Sequence, residues 1–115
     1  MHELSLAAEI LRLVQQAAAR ERFSRVATLQ LEAGALAGVE VQALRFALDA
    51  VAPGTCLEVA AITIEQPPGR AWCSDSAAEV AIASRAEPCP VCGGHGLRTT
   101  GGSELRVREL LVHDD

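Results

Sequence analysis

The sequence predicts an α+β fold: two helices packed on a small mixed three-stranded sheet, with a compact cysteine-bearing lobe inserted before the last strand. Three observations carry this. Apolar residues recur at helical spacing over residues 4–20 and 40–51. They alternate with a period of two over 25–33, 57–66 and 104–112. Between the last two alternating stretches the composition changes, because residues 67–102 hold three of the four cysteines, the single tryptophan and most of the prolines.

In the first helix Leu4, Ala7, Leu11, Val14 and Ala18 form an apolar stripe that Leu6, Ile10, Leu13 and Ala17 widen. After the polar break Arg20-Glu21-Arg22, a strand from Arg25 to Ala33 sets Ala27, Leu29, Leu31 and Ala33 against Val26, Thr28, Gln30 and Glu32. The turn Gly34 to Gly38 leads to a second helix over 40–51, with Val41, Leu44, Ala47, Leu48 and Val51 inward and Pro53-Gly54 as its stop. A strand over 57–66 sets Ala60, Ile62 and Ile64 against Val59, Ala61 and Thr63, and Pro67-Pro68-Gly69 ends it. Within the lobe only a short strand at 79–83 is legible. Gly101-Gly102 marks the exit, and 104–112 alternates as a returning strand. The expected division is a body of residues 1–66 plus 103–115 and a lobe of 67–102.

Half of the 115 residues are hydrophobic, yet only Phe23, Phe46 and Trp72 are aromatic, so the core is built from Leu, Val, Ile and Ala. The formal net charge is −5 and the basic residues are scattered, which argues against a nucleic-acid surface. No apolar run is long enough to cross a membrane. Glu3, Glu9 and Arg12 interrupt the first apolar segment and no basic stretch precedes it, so no secretion signal is expected. A cytoplasmic location follows, where thiols stay reduced, and Cys73, Cys89 and Cys92 read as metal ligands rather than disulfides. Cys56 stands outside the cluster and reads as a small buried hydrophobe.

Cys89-Pro90-Val91-Cys92-Gly93-Gly94 is half of a zinc knuckle, in which two thiolates three positions apart grip one ion and the glycines allow the tight turn. This makes the lobe zinc-ribbon-like. Its upstream partner is Cys73-Ser74-Asp75-Ser76, where a serine stands at the position of the expected second thiol. The fourth position is open to Asp75, to His95 (three residues after Cys92 and preferred), to Ser76 or to a water. At the other end, an α-amine on Met1, the next backbone amide and the His2 imidazole form adjacent chelate rings suited to Ni(II) or Cu(II), and Glu3 adds an oxygen or steers the ring. The imidazole nitrogen must be unprotonated to bind, so capture weakens in mild acid. His113 and Asp114-Asp115 read as solvent-facing.

Met1-His2-Glu3-Leu4-Ser5-Leu6, the Gly34 to Glu40 turn, Trp72-Cys73 and Cys89-Pro90-Val91-Cys92-Gly93 together resemble the HypA/HybF family of hydrogenase nickel-incorporation proteins. The resemblance runs over essentially the whole chain. It implies a metallochaperone with a nickel site at Met1, His2 and Glu3, in which the body binds nickel and the lobe holds a structural zinc through Cys73, Cys89 and Cys92. It implies as partners a nickel-loading GTPase, the large subunit of [NiFe]-hydrogenase and urease maturation proteins, with the chain itself a monomer or homodimer. Ser76 departs from the family's two cysteine pairs and bears on the zinc ligand set, not on the nickel end. No nucleophile–base pair, paired buried carboxylates or phosphate-gripping loop is legible, so an enzyme is not expected. Three rival readings remain: a zinc-ribbon interaction adaptor without nickel transfer, a paralogue whose serine has emptied the zinc site, and a catalytic zinc held by three thiolates.

Overall fold

The structure is a computed structural model that describes residues 2–113. The parts expected of Met1 and of Asp114-Asp115 lie outside the described residues. Eight elements follow in order: α1 (His2–Glu21), β1 (Val26–Ala33), α2 (Val41–Val51), β2 (Ala61–Glu65), β3 (Gly69–Cys73), β4 (Ala78–Ile82), β5 (Leu97–Gly101) and β6 (Leu105–Val112). The class is α+β, as expected, but the strands form two three-stranded sheets, ordered β2-β1-β6 and β4-β3-β5.

Helix α1 buries Ala7, Ile10, Val14 and Ala17, a single face at helical spacing, and leaves Leu4 and Leu13 exposed. The inward stripe is thus narrower than its composition suggests. The helix ends where Arg22 takes a left-handed backbone (φ 60) and Phe23 N–H donates to the Ala18 carbonyl at 3.2 Å. That is a C-terminal capping arrangement in a position where glycine is usual. Helix α2 packs against α1 and buries Leu44, Ala47 and Leu48. Glu40 caps it, its carboxylate accepting from the amides of Gln42 (3.3 Å) and Ala43.

Strand β1 is central in its sheet and buries Val26, Leu29, Leu31 and Ala33. Strand β2 begins at Ala61, later than the alternation from residue 57 suggests. The reason is local. Thr55 Oγ1 accepts from Leu57 N–H (3.1 Å) and donates to the Ala52 carbonyl (2.6 Å), while Glu58 and Ala60 amides turn back onto Thr55 and Leu57. These bonds draw 57–60 into turns that compete with the ladder. In β6 the half-buried residues are Leu105, Val107 and Leu110, so the alternation slips by one after Val107.

The chain divides into two compact units, one of which consists of Glu32–Gly38 and Glu65–Arg106. It takes in the 32–38 segment that the sequence division places in the body. Hydrogen bonds explain this: Gly34 N–H reaches the Glu104 carbonyl (2.9 Å), Ala35 the Pro67 carbonyl (2.9 Å) and Leu36 the Gly102 carbonyl (2.8 Å). Leu36 then joins Ala71, Cys73, Val80, Ile82 and Cys89 in one small apolar cluster, with Leu97 packed against it. In this unit β3 pairs antiparallel with β4 (Ala71 opposite Val80, Cys73 opposite Ala78) and with β5 (Cys73 opposite Leu97). The other unit contains α1, α2 and most of β1, β2 and β6.

Candidate metal sites

The β3 strand alternates buried and exposed from Gly69, so that Gly69, Ala71 and Cys73 face inward. Cys73 is therefore fixed by strand register, at the end of β3 where the chain turns toward β4. Cys89 and Cys92 come from a knuckle closed by two backbone bonds, Cys89 N–H to the Gly94 carbonyl (2.9 Å) and Gly93 N–H to the Cys89 carbonyl (2.8 Å). Gly93 holds a left-handed backbone with φ +72. The knuckle and the strand end bring the three thiols together, with all three sulfurs within 4.8 Å of one another. Cys73 and Cys89 are buried and Cys92 is exposed.

One sulfur pair stands at the edge length of a tetrahedral zinc site. Bonds of about 2.3 Å place neighbouring thiolates roughly 3.8 Å apart, and the Cys73 and Cys92 sulfurs stand at 3.7 Å. Backbone amides are aimed at two of the sulfurs. The Val91 amide points at Cys89 Sγ (3.4 Å) and the Ser76 amide at Cys73 Sγ (3.4 Å), as amides do around metal thiolates. The Ser76 hydroxyl foremost, then the Cys92 and Val91 amides, draw the Cys89 thiol down to about 6 against the opposing effect of burial.

Of the residues considered for the fourth position, Ser76 lies against the cluster, its hydroxyl 3.5 Å from Cys89 Sγ. Asp75 lies over the Gly94–Gly96 turn, where a Cβ on Gly94 would stand 3.1 Å from its carboxylate. His95 is exposed. Among the described residues neither Asp75 nor His95 joins the group formed by the three thiols. Cys56 is half-buried and outside that group, and burial pushes its thiol up.

At the start of α1 the His2 side chain is 63% exposed and its Nδ1 stands 3.4 Å from Glu3 Oε2. Glu3 is held from elsewhere, because the same oxygen accepts from the Glu40 amide at 3.3 Å. The Glu40 amide first, then Glu3's own amide and the His2 ring, hold the Glu3 carboxyl below the usual carboxylate range. The amides of the first helical turn have no carbonyl partner within the helix. The His2 region thus presents an accessible imidazole, a fixed carboxylate and backbone nitrogens not committed to the helix ladder. Glu40 was not legible as part of this site, since it lies 37 residues from Glu3 and its sequence marks, the end of the Gly34 to Glu40 turn and the start of a helix, say nothing of Glu3. An apolar groove adjoins His2 and Glu3, formed by Leu4, Ala43, Phe46, Ala47 and Ala50, with Phe46 77% exposed.

An α+β chain with a three-thiol cluster in one unit and an exposed histidine beside an anchored carboxylate in the other defines a metal-handling protein. Comparison with known proteins makes this specific. The hydrogenase/urease nickel incorporation metallochaperone family, HypA, matches residues 1–112, and the chain belongs to it. The hydrogenase maturation factor HypA of Cupriavidus necator is 61% identical over 114 residues, covering 99% of this chain and 96% of that protein. Its counterpart in Polaromonas naphthalenivorans is 53% identical over the full length of both. Among solved structures, the solution structure of the nickel metallochaperone HypA from Helicobacter pylori covers 98% of each chain with a TM-score of 0.68 at 15% identity. A second HypA solution structure matches with a TM-score of 0.71 at 16% identity, so the fold is shared despite sequence divergence. The family is one of metal-incorporation factors rather than enzymes.

Proposed function

We propose that this chain captures Ni(II) through Met1, His2 and Glu3 and hands it on, with a partner GTPase, to the large subunit of [NiFe]-hydrogenase in the cytoplasm, with urease maturation proteins as further recipients. Cys73, Cys89 and Cys92 hold a structural zinc. The observation that carries the nickel reading is the arrangement at the start of α1, where His2 is exposed while Glu3 is tied to the Glu40 amide. A cargo site must select its ion yet release it. His2 meets both needs: its ring supplies the borderline nitrogen donor that suits Ni(II), and its exposure lets a recipient's ligands compete for the ion. Glu3, anchored by the Glu40 amide, sets an oxygen beside Nδ1, the ring nitrogen that closes the chelate with the backbone amide, and so supplies a further donor to the ion. The exposed Phe46 beside these residues supports docking of the receiving protein on the same face.

Zinc at the thiol cluster would act through folding. The lobe's apolar cluster has few large side chains, Leu36, Val80 and Ile82 with Leu97 at its edge, and a core of that size needs a cross-link. Cys73 ties β3 and Cys89 and Cys92 tie the knuckle to one ion.

The test is Ni(II) titration of the untagged chain beside His2→Ala, with far-UV circular dichroism on both. One tight nickel in the parent, lost in the variant without change of fold, is expected. Undiminished nickel stoichiometry and affinity in His2→Ala would sink the assignment.

A further inference from the structure

We propose that the Ser76 hydroxyl oxygen is the fourth ligand of the lobe's metal, giving a centre of three sulfurs and one oxygen whose oxygen vertex is displaceable. This rests on the reading of Cys73, Cys89 and Cys92 as zinc ligands and adds the ligand which that reading leaves open.

The distances carry it. A tetrahedral ion with bonds of about 2.3 Å to sulfur and about 2.0 Å to oxygen has a sulfur–oxygen edge of roughly 3.5 Å. Ser76 Oγ lies 3.5 Å from Cys89 Sγ, while Cys73 and Cys92 stand at the sulfur–sulfur edge, 3.7 Å. The backbone holds Ser76 there: its amide donates to Cys73 Sγ at 3.4 Å, and Ala77 follows in the left-handed region (φ 51) as the chain turns into β4. Ser76 is half-buried, whereas Asp75 and His95 are exposed, and neither joins the sulfur group among the described residues. The chain therefore presents an oxygen where a second Cys-x-x-Cys would present a thiolate.

The consequence is chemical. A hydroxyl brings no full negative charge and is a harder donor than thiolate, so it is the weakest of the four bonds. The site keeps three firm ligands for its structural role and one position that an incoming donor can take, in the manner of open zinc sites.

The experiment uses the full chain carrying His2→Ala, so that the N-terminal site stays silent, loaded with Co(II) in place of zinc under reducing conditions. Absorption is followed as imidazole is added, in this parent and in Ser76→Ala, Ser76→Cys, His95→Ala and Asp75→Asn, with circular dichroism as the check on folding. Zinc affinity is measured by chelator competition in the same set. Ser76→Ala is expected to bind imidazole at about tenfold lower concentration and to hold zinc about tenfold more weakly than the parent. Ser76→Cys should raise the thiolate-to-cobalt absorption by about a third, from three sulfurs to four, and resist imidazole. His95→Ala and Asp75→Asn should match the parent. Equal imidazole binding in the parent and Ser76→Ala overturns the proposal while the zinc reading stands, because a hydroxyl that only hydrogen-bonds Cys89 would leave the vertex as open in one as in the other. Tighter imidazole binding by His95→Ala than by the parent overturns it in favour of that ring. No thiolate-to-cobalt absorption in any chain removes the zinc reading and the proposal together.

Discussion

Replacing Gly34 by alanine tests the junction on which the thiol-bearing unit is built. A Cβ at Gly34 would stand 2.1 Å from the Gly102 carbonyl oxygen and 2.3 Å from its carbon, well inside contact distance. Both obstacles are backbone, and Gly102 is itself confined, with φ +78 and its own Cβ direction blocked by the Pro68 carbonyl at 2.4 Å. No side chain can rotate away, so the two segments must separate by about an ångström to restore ordinary contact. Separation strains the bonds Gly34 N–H to Glu104 and Leu36 N–H to Gly102. Overpacking at about 1–3 kcal/mol and two weakened hydrogen bonds at about 1 kcal/mol each put the loss near 3–5 kcal/mol. That is a large part of the roughly 5–15 kcal/mol that stabilises a typical domain. Leu36 packs with Cys73 and Cys89, so zinc retention should fall as well. Urea unfolding and zinc content would be measured beside Gly93→Ala, whose Cβ meets open space and which should lose only about 1–2 kcal/mol through its left-handed backbone. If Gly34→Ala were no less stable than Gly93→Ala, the close approach of residues 34 and 102 would be refuted.

With zinc at the three thiols as proposed, a chelator should shift the emission of Trp72, the single tryptophan and next to Cys73, while the helical circular dichroism of α1 and α2 persists; simultaneous loss of both signals would contradict separate units. Arg22→Gly should stabilise the chain by about 1 kcal/mol, read as a higher urea midpoint, because the left-handed backbone at φ 60 is costly for a residue with a Cβ. The Glu3 carboxyl is lowered in the folded chain, so its contribution is present above the unfolded value and disappears as pH falls through the folded one. Glu3→Gln should therefore be less stable than the parent at neutral pH and converge with it in acid; a constant offset across the titration would assign the effect to packing.

Much of this protein was legible in its residues, because helical and alternating periodicities report which face of an element is covered. The apolar spacing from Ala7 to Ala17 and from Leu44 to Leu48 specified α1 and α2, and the alternation before Ala33 specified β1. The motifs at Met1-His2-Glu3 and Cys89-Pro90-Val91-Cys92 pointed to the family before any geometry, since histidine and paired cysteines at such spacings are the residue types that metal chemistry favours. Strands β3 and β5 were silent. Their inward positions, Gly69, Ala71 and Cys73 in one and Leu97, Thr99 and Gly101 in the other, are mostly small or polar and give little hydrophobic contrast. Only pairing makes them strands, β3 with β4 and β5 with β3, and pairing is non-local. The same holds for the sites. Sequence distance placed His95 three residues from Cys92 and made it the favoured neighbour, yet the turn after β3 is what sets Ser76 against Cys89. The tie between Glu3 and Glu40 spans 37 residues, and the meeting of Gly34 with Gly102 spans most of the chain. The chain's own order determined which donors and which element faces exist; packing decided which of them meet, because contacts between distant segments depend on backbone approach that no local pattern encodes.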